Sequence, residues 1–506
     1  MTPAVSLLGQ SPTLHDIRPR FERLTQQSRL LASLTVSERA RALTPFMEAI
    51  ARQKTEIVAR IQKETGKTAT DALVSEVLGV LDYLQWLQKN APRLLRDESV
   101  PVPLLLMGKK AEIWHQPLGV GVIIAPWNYP FHIGVTAIAT AFVAGNCVAY
   151  KPSEWTPLEG LLESLFASSP LLAQSVDVFY GDGHTGAALI DCQPQRVCFT
   201  GSIPTGRKIM AQCARYGIPL ELELGGKDAA LVFEDVNLDR TVSGVLWGGM
   251  TNSGQSCTSV ERLLVHESIY HDFVDRLKVG CEALVVNQDQ FGESDVGQMT
   301  TEFQLAIVER QLAQACSRGA KILCGGQRLK QSSLFFQPTI VEVPDTQCDL
   351  WQEETFGPVI AVQKFSHEEE AIAAANALAY GLSASLWTKD IKRARRVAQR
   401  LKAGAVSINN VMLTEGHPGL PFGGTGASGF GKVKGKDGLL AWVNRKAVMI
   451  DAQNNHIEPN WYPYTPEKYA LFEQLIEVLF QQKGFMKWVR LALIGLRLDK
   501  VAKMRR

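Results

Sequence analysis

VGVIIAPWNYPFHIGVTAIATAFVAGNCVAYKPSE, residues 120–154, contains two short apolar segments separated by a longer one. VGVIIAP (120–126) and CVAYKPS (147–153) have the length of buried strands, and FHIGVTAIATAFVAGN (131–146) has the length of a helix. A strand, a helix and a strand at this spacing are typical of a parallel sheet with helices on its faces.

The same alternation continues along the chain. Strands are predicted at 176–181, 196–202 and 219–225, with a helix at 156–168 before the first of them and a helix at 204–217 between the last two. A second α/β stretch follows from about 226 to 420, and residues 16–95 are predicted to be helical. The fold class is therefore α/β, and ligands of such open sheets bind at the carboxyl ends of the strands.

The segment TNSGQSCTSVER (251–262) places Cys257 among short polar residues and a glycine, as in a turn rather than a core. A thiolate is a strong nucleophile that attacks carbonyl carbons. The other eight cysteines form no C-x-x-C pairs and are interpreted as core packing, so neither disulfides nor a zinc site are predicted. The nine histidines lack metal-ligand spacing, so no metal is predicted.

Seven short segments stand out along the chain: PWNYP, YKPSE, FTGS, LELGGK, NSGQSC, EETFGPV and LPFGGTGASGFG. They occur in the order that the aldehyde dehydrogenase superfamily has them, and the chain resembles that family from about residue 30 to 450. PWNYP and LPFGGTG are similar to the class 3 and fatty-aldehyde branch, and NSGQSC is more similar to the general branch. This resemblance implies a Rossmann-like cofactor domain, an α/β catalytic domain and a small intersubunit β element.

The resemblance implies three catalytic residues. Cys257 would attack an aldehyde to give a thiohemiacetal and, after hydride loss to a nicotinamide, a thioester. The Asn128 amide and the Cys257 backbone N–H would hold the oxyanion. Glu223 would activate the water that hydrolyses the thioester. The strand pattern alone does not separate Glu223 from Glu221, but the family pattern places the base directly before Leu-Gly-Gly.

The implied cofactor is NAD, with NADP as the alternative. The Glu154 carboxylate can accept both hydroxyls of the NAD ribose and would repel a 2′-phosphate, and Lys151 could bind the same ribose. No G-x-G-x-x-G follows the first strand, so FTGSIPTG (199–206) is the predicted phosphate-binding turn. The predicted cofactor residues are Pro126, Trp127, Lys151, Ser153, Glu154, Gly181, Gly201, Ser202, Gly206, Leu224, Glu354 and Phe356.

The resemblance also divides the chain. The predicted parts are an NAD(P)-binding domain (1–94 and 118–225), a catalytic domain (226–420), a bridging element (95–117 and 436–453) and a helical tail (454–506). KKAEIWHQP (109–117) resembles the family's intersubunit strand, so a homo-oligomer, a dimer or a tetramer, is expected.

The tail is apolar, aromatic and basic, and the resemblance fades there. PEKYALFEQLIEVLFQQ (466–482) is predicted to be a helix, and GFMKWVRLALIGLRLDKVAKMRR (484–506) follows it. The first helix is predicted to carry an apolar face of Leu471, Phe472, Leu475, Ile476, Leu479 and Phe480. These features predict attachment to a membrane interface, or alternatively packing on a neighbouring subunit. They also favour a medium- or long-chain aliphatic or otherwise apolar aldehyde.

Composition and charge bear on nucleic-acid binding, secretion and membrane insertion. The formal net charge of +2 over 506 residues implies no general attraction to nucleic acid. MTPAVSLLGQSPTLHDIRPRFERL lacks the pattern of a secretory signal, and no apolar run has the length of a membrane span. The predicted location is the cytoplasm, with peripheral attachment at the cytoplasmic face of a membrane.

Two rival functions remain at this point. A CoA-acylating aldehyde dehydrogenase or acyl reductase of the same fold would pass the thioester to CoA and typically lacks the base, so Glu223 argues against it. A catalytically silent structural member would have lost Cys257, Asn128 or Glu223, and all three are present.

Overall fold

The computed structural model describes residues 13–289, 291–452 and 457–503. The first half of the segment tested for a secretory signal, and 454–456 and 504–506 of the predicted tail, lie outside the described residues. The chain forms two compact units. One comprises the chain to Arg96 together with 115–446, and the other comprises 97–114 and 447–506.

The strands of the described chain form sheets of three, six and seven strands. They are β1 (Glu98–Val100), β2 (Lys110–Pro117), β3 (Val120–Ile124), β4 (Cys147–Lys151), β5 (Val176–Val178), β6 (Arg196–Gly201), β7 (Leu220–Leu224), β8 (Asp228–Val232), β9 (Val260–His266), β10 (Lys321–Cys324), β11 (Thr339–Glu342), β12 (Val359–Phe365), β13 (Ser383–Trp387), β14 (Ala405–Ile408), β15 (Gly429–Phe430) and β16 (Val443–Ile450).

Helices of very different length connect these strands. The α-helices are α1 (Leu14–Ser33), α2 (Val36–Arg41), α3 (Thr44–Arg52), α4 (Lys54–Thr65), α5 (Ala69–Asp71), α6 (Gly79–Leu94), α7 (His132–Val143), α8 (Leu161–Phe166), α9 (Pro170–Ser175), α10 (Gly183–Asp191), α11 (Ile203–Tyr216), α12 (Leu238–Met250), α13 (Tyr270–Glu282), α14 (Glu302–Ser317), α15 (Asp349–Gln352), α16 (Glu368–Ala375), α17 (Ile391–Ala398), α18 (Leu413–Gly416), α19 (Gly435–Leu440), α20 (Pro466–Gln481) and α21 (Phe485–Ala502). A π-helix spans Ala72–Leu78, and 3₁₀ turns span Leu104–Leu106, Thr251–Gly254, Glu267–Ile269 and Gly426–Ser428.

The six-stranded sheet has the order β15-β7-β6-β3-β4-β5. Its first five strands in sequence are parallel, and β15 joins β7 in the antiparallel direction. The strand order reverses at β3, which pairs with both β4 and β6, and ligands of doubly wound sheets bind at such a reversal. The predicted α/β fold is thus confirmed, and its switch point lies beside the predicted loops.

The seven-stranded sheet has the order β10-β11-β12-β9-β8-β13-β14 and is parallel except for β10. Side chains of β8 alternate between two apolar clusters: Ala229 and Leu231 belong to one, whereas Ala230 and Val232 belong to the other. Both faces of the sheet are therefore buried, which explains why these strands are continuously apolar in sequence.

Two local predictions were wrong. The helix predicted from residue 156 begins only at Leu161, because Leu158 and Gly160 have left-handed backbones with φ of 47° and 77°. Helix α10 was not predicted, because its nine residues include two glycines and few apolar positions. It lies between β5 and β6 and contributes to the cavity described below.

The three-stranded sheet has the order β1-β2-β16, and the second unit contains the helical hairpin α20–α21. The two helices pack on each other through Leu471, Val478, Leu491, Ile494, Leu498 and Val501. Ile476 and Phe480 were predicted on the same apolar face but are 56 % and 79 % exposed, because α21 covers only one side of α20. In the part of the chain that the structure describes, no helix is long and apolar enough to cross a membrane.

Candidate active site

Glu223 and Cys257 meet at the carboxyl ends of β6 and β7. Glu223 is the next-to-last residue of β7, lies opposite Thr200 of β6 and is buried. Its carboxyl lies near enough to the Cys257 thiol for each group to influence the pKa of the other. Burial, with a contribution from the charge of Glu415, raises the pKa of Glu223 to about 7, although hydrogen bonds with Cys257 and Thr200 oppose the shift. A carboxyl with this pKa can take up and release a proton near neutral pH.

The rival base Glu221 is engaged elsewhere. Its carboxylate forms a buried ion pair with Arg196, and the Cys198 Sγ lies 3.5 Å from Glu221 Oε1. Glu223 Oε1, by contrast, is buried without a hydrogen-bond partner among residues 13–289, 291–452 and 457–503. The structure therefore separates two carboxylates that the strand pattern could not.

The turn before Cys257 has an unusual backbone. Asn252, Ser253 and Gly254 are successive left-handed residues with φ of 51°, 56° and 68°. Asp71 holds this turn, because its carboxylate accepts hydrogen bonds from the Thr251 hydroxyl at 2.8 Å and the Asn252 N–H at 3.0 Å. A Cβ at position 254 would lie 2.0 Å from the carbonyl oxygen of residue 357, so a glycine is required there. Backbone strain of this kind persists only where the surroundings fix it.

Burial and the charges of Glu223 and Glu415 raise the pKa of the Cys257 thiol well above its ordinary value. The thiol thus holds its proton in the free protein, and the neighbouring Glu223 carboxylate is the group that can accept it. The half-buried thiol also lines both large cavities of the protein, so it can be reached by ligands.

Asn128 is fixed beside the nucleophile turn. Its side-chain Nδ2 donates to the carbonyl oxygen of Gln255 at 3.0 Å, and its own carbonyl oxygen accepts from Lys67 Nζ at 2.8 Å and Asn252 Nδ2 at 3.2 Å. An amide nitrogen carries two hydrogens, so a second N–H of Asn128 is available to a ligand. Lys67 is itself fully buried in an ion pair with Glu76, which anchors the arrangement.

The first cavity has a volume of about 830 Å³ and lies at the switch point of the six-stranded sheet. All three predicted catalytic residues line it. Of the predicted cofactor residues it brings together Pro126, Trp127, Lys151, Ser153, Glu154, Gly201, Ser202, Leu224, Glu354 and Phe356. Gly181 and Gly206 do not line it. Gly206 packs on Leu224 so closely that a Cβ would come within 2.6 Å of that side chain, which makes its role one of packing.

The polar groups of this cavity are held by local contacts. Lys151 Nζ lies 3.0 Å from Glu154 Oε2, at the end of β4. Glu354 Oε1 accepts a hydrogen bond from the Gly226 N–H at 3.0 Å, and burial raises the pKa of Glu354 to about 8. The Ser202 hydroxyl contacts Thr205 Oγ1 at 3.0 Å and makes no hydrogen bond that caps α11.

Phe356 closes one end of this cavity against Trp127. Their rings meet edge to face with centroids 5.3 Å apart. Phe356 has a left-handed backbone with φ of 52°, and the Glu261 carboxylate holds it by accepting hydrogen bonds from the Thr355 and Phe356 N–H groups at 2.8 and 2.9 Å. Glu261 is in turn paired with the buried Lys227. The sequence offered no signal for this support, because Lys227 and Glu261 are 34 residues apart.

The second cavity, of about 720 Å³, also reaches Cys257 and Glu223. Its walls are mainly apolar, and its lining includes Ile123, Tyr129, Ala137, Val411, Met412, Phe422 and Val433. The lining residues Val74, Leu78, Trp247 and Leu413 are each half or more exposed. None of these residues was predicted, because an apolar wall has the same composition as a core.

The second cavity also contains a charged group that was not predicted. Glu415 and Lys434 both line it; Lys434 is buried and Glu415 is half-buried. The Thr258 hydroxyl donates to Glu415 Oε2 at 2.6 Å, and Lys434 Nζ donates to the backbone carbonyl of Glu415. Neither residue lies in one of the seven segments on which the resemblance rests, so neither was predicted.

This fold and its paired cysteine and carboxylate define an oxidoreductase of a known class. Residues 14–448 match the Aldehyde dehydrogenase family. The chain belongs to the aldehyde dehydrogenase family and is an aldehyde-oxidising enzyme.

Among its relatives, the chain is 39 % identical to 4,4′-diapolycopene aldehyde oxidase of Methylomonas sp over 485 residues, 95 % of this chain and 91 % of the relative. It is 34 % identical to the chloroplastic betaine aldehyde dehydrogenase of Beta vulgaris over 438 residues, 85 % of this chain and 86 % of that relative. A solved structure of Staphylococcus aureus betaine aldehyde dehydrogenase in complex with NAD⁺ is 28 % identical, with a TM-score of 0.83, and covers 90 % of this chain and 93 % of its own.

Proposed function

We propose that the protein oxidises an apolar aldehyde to a carboxylic acid, with NAD as hydride acceptor, through a thiohemiacetal and a thioester on Cys257. The observation that carries this proposal is that Cys257 and Glu223, which influence each other's pKa, both line the two large cavities. One cavity would take the cofactor and the other the aldehyde. Acyl transfer to CoA, the first rival, would leave Glu223 without a role. A catalytically silent protein, the second rival, would leave Cys257, Glu223 and Asn128 all without a role.

The first cavity fits a dinucleotide. The Glu154 carboxylate, beside Lys151, would accept the hydroxyls of the adenosine ribose, and Glu354 would accept those of the nicotinamide ribose. Trp127 and Phe356 would flank the nicotinamide ring. When bound, NAD supplies the hydride acceptor. NAD is favoured over NADP because Glu154 would repel a 2′-phosphate, and the Staphylococcus aureus relative has NAD⁺ bound in its solved structure.

The residues of the chain would divide the chemistry as follows. Glu223 takes the Cys257 proton as the sulfur–carbon bond forms, and the carbonyl π electrons move to the oxygen. The free N–H of Asn128 and the backbone N–H of Cys257 donate to that oxyanion. After hydride loss and release of its proton, Glu223 deprotonates a water that attacks the thioester. The carbon–sulfur bond breaks, the acid leaves and the sulfur is reprotonated.

The second cavity supports an apolar substrate. Apolar side chains from β3, α7, α12 and the region of α18 form its walls, and each buried methylene of a substrate gains about 0.8 kcal/mol there. The Methylomonas relative is named for a diapolycopene aldehyde, and the match to it covers 95 % of this chain. The betaine aldehyde dehydrogenases among the relatives make small polar aldehydes the alternative.

The test is NADH formation by purified wild type and Cys257→Ala without CoA, across straight-chain aldehydes of increasing length and betaine aldehyde. Wild type should turn over with kcat/KM rising with chain length, and the alanine variant should lose at least about a thousandfold. Turnover that requires CoA would favour the acylating rival. A preference for betaine aldehyde would overturn the apolar substrate.

We also propose that the α20–α21 hairpin attaches the protein to an anionic membrane surface. Phe480, Phe485 and Trp488, at the turn between the helices, are 79 %, 79 % and 58 % exposed. Lys483 and Arg490 add positive charge at the same turn. Aromatic rings beside cations suit the headgroup region of an anionic bilayer, where each cation contributes about 1 kcal/mol.

Sedimentation with lipid vesicles tests this attachment. The wild type should pellet with phosphatidylglycerol-containing vesicles more than with phosphatidylcholine vesicles, and Phe485→Ser/Trp488→Ser should remain in the supernatant. Leu30→Ser, at an exposed leucine of α1, is the matched control. Equal sedimentation of wild type and double variant would overturn the proposal, and a fall in oligomer size in the double variant would favour subunit packing.

A further inference from the structure

The nucleophile has a polar support on the substrate side. Thr258, directly after Cys257, is buried, and its hydroxyl donates to Glu415 Oε2 at 2.6 Å. Ser256, directly before Cys257, lies with its hydroxyl 3.3 Å from that of Thr258. We infer that Glu415 is a positioning residue, which fixes the Cys257 thiol for attack through the Thr258 hydroxyl. The inference rests on the proposed role of Cys257 as the nucleophile.

Glu415 is itself held by a chain of oriented hydrogen bonds. Its carbonyl oxygen accepts from Lys434 Nζ, which lies 3.4 Å from His132 Nε2. His132 Nδ1 lies 2.8 Å from the carbonyl oxygen of Ser75. Burial, with the nearby charge of Lys434, lowers the pKa of His132 to about 3, so the ring is neutral. Nδ1–H therefore donates to Ser75, and Nε2 accepts from Lys434.

This chain ties the nucleophile to a fixed point on the cavity wall. Ser75 belongs to the π-helix and His132 begins α7, so the end of the polar network away from Thr258 lies on elements packed in the six-stranded sheet's core. On the other side, Asp71 holds the left-handed turn at Thr251 and Asn252. Cys257 is thus held both before and after its position in the chain. Misplacement of a reacting atom by about 1 Å can cost a hundredfold in rate, so such restraint matters for attack.

Two matched pairs of variants separate the hydrogen bond from charge and from packing. Thr258→Val removes only the hydroxyl, whereas Thr258→Ser keeps it. Glu415→Ala and Glu415→Gln remove the same charge, but only the glutamine can still accept from Thr258. The first readout is the rate of iodoacetamide labelling of Cys257, followed on its own peptide by mass spectrometry, at a pH above the pKa of Glu223. The second is kcat with NAD and the best aldehyde.

Loss of a hydrogen bond to this carboxylate should cost about tenfold. Thr258→Val should be labelled and turn over about tenfold more slowly than Thr258→Ser, and Glu415→Ala about tenfold more slowly than Glu415→Gln. KM for NAD should not change, because neither residue lines the first cavity. Equal labelling rates and equal kcat within both pairs would overturn the inference. A similar loss of activity in all four variants, together with weaker NAD binding, would overturn it as well. Labelling needs no substrate, so it reports on positioning even if the proposed aldehyde is wrong.

Discussion

The two cavities that meet at Cys257 differ in how their walls are built. The first includes, among apolar side chains, polar residues and glycines at or just after strand ends, such as Lys151, Glu154 and Gly201. The second is lined mainly by apolar side chains from segments far apart in the chain, such as Leu78, Trp247 and Leu413. Those polar residues and glycines of the first cavity stand out in a sequence, whereas the apolar types of the second fill every core. A recognition site for an apolar ligand is therefore visible only once the chain is folded.

The largest test concerns the carboxylate that the cavities share. Glu223→Gln keeps the side-chain volume but removes the base, so steady-state NADH formation should fall by roughly 10²–10⁴-fold. Because hydride transfer precedes hydrolysis, a rapid burst of NADH should remain if water or another group can take the thiol proton. Stopped-flow absorbance separates the burst from the steady state. Glu221→Gln is no matched control, since it would break the ion pair with Arg196. Full steady-state activity of Glu223→Gln would show that Glu223 is not the base at the point where the two cavities meet.

A second test uses pH. Glu223 has a raised pKa of about 7, and its basic form is the active one, so activity should be present above this pH and lost as the pH falls through it. Below the pKa, kcat should fall about tenfold for each pH unit. Glu415→Gln removes a charge that raises this pKa, so the acid limb should move to lower pH in that variant. An acid limb near the ordinary pKa of a glutamate would contradict the buried environment.

A third test addresses the apolar wall. Leu78→Ser at the second cavity should raise KM for long-chain aldehydes by roughly five- to tenfold, because about 1 kcal/mol of apolar contact is lost. KM for a two-carbon aldehyde and for NAD should change little. Leu30→Ser is the control, since Leu30 is similarly exposed and lines neither cavity. An equal change in KM for short and long aldehydes would show that this wall does not discriminate between aldehydes by chain length.

The smallest expected effect is that of replacing Glu154, a polar residue that lines the first cavity. Glu154→Gln should raise KM for NAD by roughly threefold, the equivalent of one hydrogen bond at a half-buried site, and should lower the preference for NAD over NADP. KM for the aldehyde should stay constant, because Glu154 does not line the second cavity. Initial rates with each cofactor give the ratio. An unchanged ratio of the initial rates with NAD and NADP would mean that Glu154 does not determine the cofactor preference.

Much of the fold and part of the site could be predicted from the sequence. The βαβ alternation placed the six-stranded sheet, and strand ends placed the polar residues of the first cavity. The distinction between Glu221 and Glu223 needed the tertiary partner Arg196, which is 25 residues away from Glu221. Asp71 and Glu415 were missed because each acts on the nucleophile turn from more than 150 residues away. No local pattern encodes such a contact.

The placement of Cys257 on both cavities has a kinetic consequence. If the first cavity takes the cofactor and the second the aldehyde, as proposed, each would reach the sulfur through its own cavity, and neither would have to wait for the other to arrive or depart. The acid formed on the sulfur could then leave while the reduced cofactor is still bound. The turnover rate would then be set by the slower of two steps, release of the acid or release of the reduced cofactor. A substitution in one cavity would change the turnover rate only when release from that cavity is rate-limiting.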